Sequence, residues 1–218
     1  MESSAQPEPR RRNPRGQGAM LREQLIAATA RLLATMDRPE TLTLRQVARE
    51  VGIAPASIYG HFPDLGALIQ HVLQQRYDEL AETMQSAAQS AAEPLADLVA
   101  RCVAYVHWGI QHPGEYRTLF GGGMPAEIVP LSARGAGEEL LGSVSDSLAR
   151  AAHDGEAVTD AAAWRAGLLL WMALHGLVAL YNEHGRLPWP PLPQLIAETL
   201  ALHTGRSAAE IAPLLPGS

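Results

Sequence analysis

Between residues 20 and 36 the apolar positions Leu21, Leu25, Ala28, Leu32 and Met36 return every three to four residues, the spacing of one face of an α-helix. Asp37, Arg38 and Pro39 break that stripe. Thr41-Leu42-Thr43 opens a short second helix, in which Thr43 and Gln46 stand at capping-box spacing. It runs to Val51 and stops at Gly52, a residue that tolerates a left-handed helix end. Pro55 suits the first turn of a third helix, where its missing N–H is no loss. That helix is predicted to reach His61 or Phe62 before Pro63. Three short helices on short loops make a compact head.

Beyond Asp64, a natural N-cap, the helical pattern continues through Leu68, Val72, Leu73, Leu80 and Met84 to about Ser90. Further helices are predicted over Pro94–His112, a short stretch from His112 to Gly121, residues 135–153, residues 160–184 and Leu195–His203. The Pro-rich run Leu187–Pro193 links the last two. No segment reads as strands, so the fold class is all-α. An N-terminal three-helix helix-turn-helix head precedes a C-terminal helical domain for ligand binding and dimerisation. The expected divisions are an arm over residues 1–18, a head over 19–63 and a body over 64–218. The arm is rich in Pro, Arg, Gly and Ser and is expected to be disordered. Residues 64–90, the long segment joining head to body, are the expected lever between them.

Charge sharpens this division. The 218 residues carry a net charge of −6, which alone argues against nucleic acid. Residues 10–63, however, hold nine Arg against four acids, and residues 64–218 hold eight Arg against seventeen acids. A basic head on an acidic body fits an electrostatic footprint confined to one end. There is no lysine, so phosphate-loop, Schiff-base and lysine general-base chemistry are excluded. The single Cys102 excludes an internal disulfide framework and a multi-cysteine zinc site. Residues 1–18 lack the apolar core of a signal peptide, and a cytoplasmic location is expected.

The span Leu42–Phe62 reads L-T-L-R-Q-V-A-R-E-V-G-I-A-P-A-S-I-Y-G-H-F. Small Ala48 allows two helices to cross closely, Gly52 permits the turn, and Val47, Val51, Ile53 and Ile58 fill the space between them. The outer face of Pro55–His61 is left free for a major groove. Over roughly residues 20–72 the chain resembles the tetracycline-repressor (TetR) family, most clearly in S-I-Y-G-H-F-P-D. The resemblance implies that Tyr59 and His61 touch the DNA backbone and that Thr43 meets a phosphate. Arg45, Ala54, Pro55, Ala56, Ser57 and Gly60 complete the candidate DNA-binding set. Arg10, Arg11, Arg12 and Arg15 are either a solvated tail or an arm that reaches phosphates or a minor groove. Tyr59 and Phe62 have a second reading, as packing residues of the head. Two departures stand out. Pro63-Asp64-Leu65-Gly66 lacks the basic residue the family usually places there, and the recognition helix lacks Arg, Asn or Gln for bidentate base contacts.

In the body, Leu168–His184 resembles a subgroup of that family marked by Trp, His and Gly, here Trp171, His175 and Gly176, and His112–Phe120 fits the same subgroup. The uncharged run Ala166–Tyr181 spans sixteen residues, short of the roughly 20 a membrane helix needs. A core helix and no membrane partner are expected. Tyr105, Trp108, Phe120, Met124, Trp171 and His175 are candidates for the wall of an effector cavity, or for ordinary core. The histidines at 107, 112, 175 and 184 show no tight metal spacing, and neither metal nor cofactor is expected. No G-x-S-x-G or phosphate loop occurs, so a non-enzyme is expected. The expected function is a DNA-binding transcriptional regulator. As a repressor it would hold an inverted-repeat operator as a homodimer paired through Leu168–His184 and Leu195–His203. A small, largely apolar effector would release it. The alternative is a helical small-molecule-binding protein or minor enzyme that does not bind DNA.

Overall fold

The computed structural model describes residues 17–121, 131–152 and 159–215, which form helices and turns without a strand. The head comprises α1 (Gln17–Thr35), α2 (Leu44–Val51) and a 3-10 helix, Pro55–Gly60. The body comprises α3 (Leu65–Ala88), α4 (Pro94–Gln111), α5 (Pro113–Phe120), α6 (Leu131–Ala152), α7 (Asp160–Glu183), α8 (Leu192–Thr204) and the short α9 (Ala208–Ile211). The third helix of the head differs from expectation. It is a 3-10 helix that stops at Gly60 rather than an α-helix running to Phe62. Pro55 removes a donor at one end and Pro63 bars continuation at the other, leaving a length that 3-10 geometry suits.

Local chemistry sets the ends of these helices. Thr43 caps α2 in a full capping box: Gln46 N–H donates to its hydroxyl, while Thr43 N–H donates to Gln46 Oε1 at 2.8 Å. Gly52 then turns the chain at φ 77°, a left-handed conformation that glycine adopts without steric cost. Asp64 caps α3 by accepting from Ala67 N–H at 2.7 Å.

Two apolar clusters hold the molecule together. Leu25, Leu33, Val47, Ala48, Ile58 and Phe62 form the head cluster, together with Leu68, Ile69, Val72 and Leu73 of α3. The head core therefore extends past residue 63, and α3 is one of its walls. Further along, α3 sends Leu80 and Met84 into the body cluster, with Leu98, Cys102, Leu148, Leu170, Val178 and Leu200. One helix is thus embedded in both cores.

Close helix contacts rest on small residues. A Cβ on Gly167 of α7 would collide with Ser145 of α6. One on Gly109 of α4 would lie 2.6 Å from Val178 Cγ1 of α7. Asp97 ties α4 to α6 by accepting from Arg101 Nε at 3.0 Å, Arg150 Nη2 at 3.1 Å and the Ser147 hydroxyl.

A second joint between head and body was not foreseen. Arg117 of α5 donates to the carbonyls of Ala34, at 3.0 Å, and Met36, at 3.3 Å, at the C-terminal end of α1. Gly114 packs against the same Ala34 carbonyl so closely that a Cβ there would strike it. The α3 lever is therefore accompanied by an α5–α1 joint.

At 24 residues, with mean hydropathy 1.4 in its most apolar window, α7 is long and apolar enough to cross a membrane by length and composition. The length of its uncharged run does not exclude a span. Only 22% of that window is buried within the chain. Leu169, Met172 and Leu180 of α7 are about half exposed, and Leu202 of α8 is 86% exposed. Val178 and Leu200, by contrast, lie fully inside the protomer's own core.

Candidate DNA-binding face and ligand cavity

Ile58 is fully buried and Phe62 nearly so, and they anchor the 3-10 helix to the head. Because side chains radiate around the axis, burying Ile58 turns Ala54, Pro55, Ala56, Ser57, Tyr59 and Gly60 outward, and all six are exposed. Tyr59 is 61% exposed and does not pack the head. Phe62 does pack, and the Arg22 guanidinium lies 4.9 Å over its ring. His61 is half-buried, while Thr43 and Arg45 are exposed at the start of α2. The Thr43 hydroxyl is already engaged, donating to Gln46 Oε1 at 2.7 Å. Arg10, Arg11, Arg12 and Arg15 lie outside the described residues. Asp64, in the Pro63–Gly66 stretch where the family resemblance expects a base, spends its carboxylate on the α3 cap.

In the body, a cavity of about 310 Å³ opens among α3, α4, α5, α6 and α7. Tyr105, Phe120 and Trp171 line it, as the sequence suggested. Trp108 does not; it is buried and borders a larger open cleft between α3 and α4, of about 1120 Å³. Met124 lies outside the described residues. His175 stands behind the wall, stacked on Tyr116 with ring centroids 5.5 Å apart and 5.1 Å from the Trp171 ring.

Sequence reasoning missed Tyr77 and Met84 on α3 and Leu140, Leu141 and Val144 on α6. They lie in stretches read as helices, with Met84 in an apolar stripe, but no local signal says which helix face borders an empty interior.

A buried polar chain backs the cavity. Tyr105 and Tyr116 hydroxyls lie 2.8 Å apart, and the Tyr116 hydroxyl is 2.6 Å from His175 Nδ1. Burial lowers the pKa of His175 and so favours the neutral ring. Neutral Nδ1 accepts the Tyr116 proton, which leaves the Tyr116 oxygen to accept from Tyr105. Burial, reinforced by the neighbouring Tyr116, raises Tyr105 well above the ordinary phenol value. Both tyrosines are therefore neutral hydrogen-bonding groups. Burial likewise pushes the Cys102 thiol up to about 12, so it packs as a small apolar residue instead of serving as a nucleophile.

The lowered pKa of His175 gives a pH prediction. Below the ordinary value of 6.5 the unfolded chain takes up a proton that the folded chain resists, so stability falls as pH falls through that window. Burial of His203 acts in the same direction. The melting temperature should drop on acidification from about pH 7 to about pH 5. His175→Gln should give a shallower decline, read by thermal denaturation. Identical slopes would show that His175 does not titrate with unfolding.

The fold is thus a packed three-helix head on an all-helical body with an apolar central cavity. Residues 98–203 match the family model described as Tetracyclin repressor-like, C-terminal domain. A nucleoid occlusion factor, SlmA, of Cronobacter sakazakii is 25% identical over 113 residues, which is 52% of this chain and 57% of that protein. A helix-turn-helix-type transcriptional regulator of Mycobacterium bovis is 25% identical over 118 residues, 53% of this chain and 50% of that one. The chain thus spans about half the length of the curated relatives it matches. The solved structure of a protein with unknown function from Rhodococcus sp. RHA1 shares the fold, with a TM-score of 0.73 at 24% identity over 90% of this chain and 100% of that one.

Proposed function

We propose that this protein is a DNA-binding transcriptional regulator that grips an inverted-repeat operator as a homodimer and is released by a small, largely apolar effector. The outward face of the 3-10 helix carries the reading: Tyr59 and its small neighbours project from a head whose core is otherwise closed. A bulky apolar or aromatic residue left outside a finished core is best explained by a partner surface. Small side chains let backbone and Tyr59 approach phosphates and thymine methyls closely. With no Arg, Asn or Gln on that face, part of the specificity comes from DNA shape. Two-fold symmetry of the protein is mirrored in the operator, with half-sites roughly 34–36 Å apart.

The cavity supplies the second half of the reading. It lies beside α3 and α5, the two elements that touch the head. A ligand shifts the DNA-competent population only by its differential affinity for the two states. An effector that spreads α3 or α5 therefore displaces the recognition elements.

Binding of the purified protein to DNA from its own promoter region, followed by fluorescence anisotropy across a salt series, tests this. Affinity should fall steeply with salt. Tyr59→Ala should weaken binding about tenfold to a hundredfold, the worth of one hydrogen bond to a charged group. Removing residues 1–15 should flatten the logarithmic salt slope by up to about 3–4 units if all four arginines reach phosphates. Equal binding to promoter and random DNA at moderate salt would sink the regulator reading and favour a small-molecule-binding protein without DNA.

A further inference from the structure

The cavity among α3, α4, α5, α6 and α7 presents a polar tip on the helix that joins the two cores. The Tyr105 hydroxyl is committed to Tyr116 at 2.8 Å. The Tyr77 hydroxyl has no hydrogen-bond partner among the described residues. Its ring packs edge-on against Phe120 at 5.9 Å, which holds it in the wall. The hydroxyl lies beside Gly137 of α6, where a Cβ would be 3.6 Å away and glycine itself contributes no side chain. The hydroxyl of this half-buried phenol is free to bond a donor or acceptor that a ligand brings into the cavity in place of water.

The remaining lining restricts the ligand further. Phe120, Trp171 and Tyr105 supply ring faces and edges, and Met84, Leu141 and Val144 supply aliphatic surface. The only ionised lining group among the described residues is the Glu138 carboxylate, on the exposed rim. Among the described residues no cation stands in the wall to compensate an anion, and desolvating an unpaired carboxylate is costly. We infer that the cavity takes an uncharged, compact aromatic molecule carrying a single hydroxyl or carbonyl, and that Tyr77 reads that group.

This rests on the effector-cavity reading and adds its chemistry and its point of action. Tyr77 lies one turn after Leu73 of the head cluster and one turn before Leu80 of the body cluster. A ligand held by Tyr77 therefore acts on α3 at the junction of the two cores.

The test uses the full-length protein and three probes that share a ring system: 2-naphthol, naphthalene and 2-naphthoate. Binding is followed by calorimetry and by quenching of tryptophan fluorescence. Wild type should bind 2-naphthol about fivefold to tenfold more tightly than naphthalene, the worth of one neutral hydrogen bond. It should bind 2-naphthoate more weakly than 2-naphthol by at least about tenfold. Tyr77→Phe keeps the ring and its packing. It should bring the naphthol-to-naphthalene ratio near one while leaving naphthalene affinity unchanged. Leu141→Trp fills the cavity and should abolish binding of all three. If Tyr77→Phe preserves the naphthol preference while Leu141→Trp abolishes binding, the cavity stands and the role of Tyr77 is wrong. Tightest binding of 2-naphthoate would overturn the uncharged class. If no probe binds wild type, or Leu141→Trp leaves binding intact, the effector-cavity reading falls and this inference falls with it.

Discussion

Placing glutamates at Met172 and Leu202 together is expected to convert the protein into folded monomers and to lower operator affinity by at least about a hundredfold. Both side chains are largely exposed in the protomer, at 57% and 86%. With Leu169 and Leu180 they leave α7 and α8 an apolar face that has no counterpart among the described residues. Pairing two copies through that face removes it from water and sets the separation of the two heads. Two added charges per protomer face each other across such an interface, where desolvation costs several kcal/mol. The protomer's own core contains neither residue, so its fold survives.

Charges at Val178 or Leu200, on the same two helices, give the opposite result. Those positions are fully buried in the protomer, and an unpaired carboxylate there unfolds it. Sedimentation velocity with circular dichroism separates the cases. Met172→Glu/Leu202→Glu should sediment as a helical monomer, and Leu200→Glu should lose helical signal or aggregate. If the double variant stays dimeric at micromolar concentration, the interface lies elsewhere.

The second large effect is expected at the joint between α5 and α1. In Gly114→Val the new Cβ falls on the Ala34 carbonyl, and a backbone atom cannot rotate out of the way. α5 must withdraw from α1, taking the Arg117 hydrogen bonds to Ala34 and Met36 with it. Overpacking and the lost bonds together cost about 2–4 kcal/mol, which lowers the melting temperature by roughly 5–12 °C for a chain of this size.

Arg117→Ala keeps the close packing and removes only the two exposed hydrogen bonds. Its cost should be about 1 kcal/mol or less. That milder variant isolates function. Phe120, at the far end of α5, lines the cavity, so a severed joint should blunt effector-induced operator release while leaving ligand affinity unchanged. Differential scanning fluorimetry reads the first effect, and operator anisotropy under effector titration reads the second. A Gly114→Val protein with wild-type melting would show that α5 and α1 are not held together as described.

Helix identity was largely legible from the chain because periodicity and capping are local. Thr43 with Gln46, Gly52 and Asp64 each act on backbone groups within a few residues, and each does what its position suggested. The outward set on the recognition element followed the same way, since burying Ile58 dictates which neighbours face out. The 3-10 form of that element was less accessible. It arises from the balance of two prolines and the packing of Ile58 and Phe62 together, not from any single signal.

What only the tertiary structure decided are the relations between distant helices. Periodicity marks Val178, Leu200, Tyr77 and Trp108 alike as apolar or amphipathic positions. It cannot say that the first two face the protomer's own core, that Tyr77 opens on a cavity, or that Trp108 borders a different cleft. Gly114 and Arg117 read as turn and surface residues until α5 lies against the end of α1. The sequence by itself determined which residues form helices and which chemistry each end of the protein can support. Packing decided which faces meet, because a helix side chain's partner is selected by steric fit between elements scores of residues apart, and no short-range pattern encodes that fit.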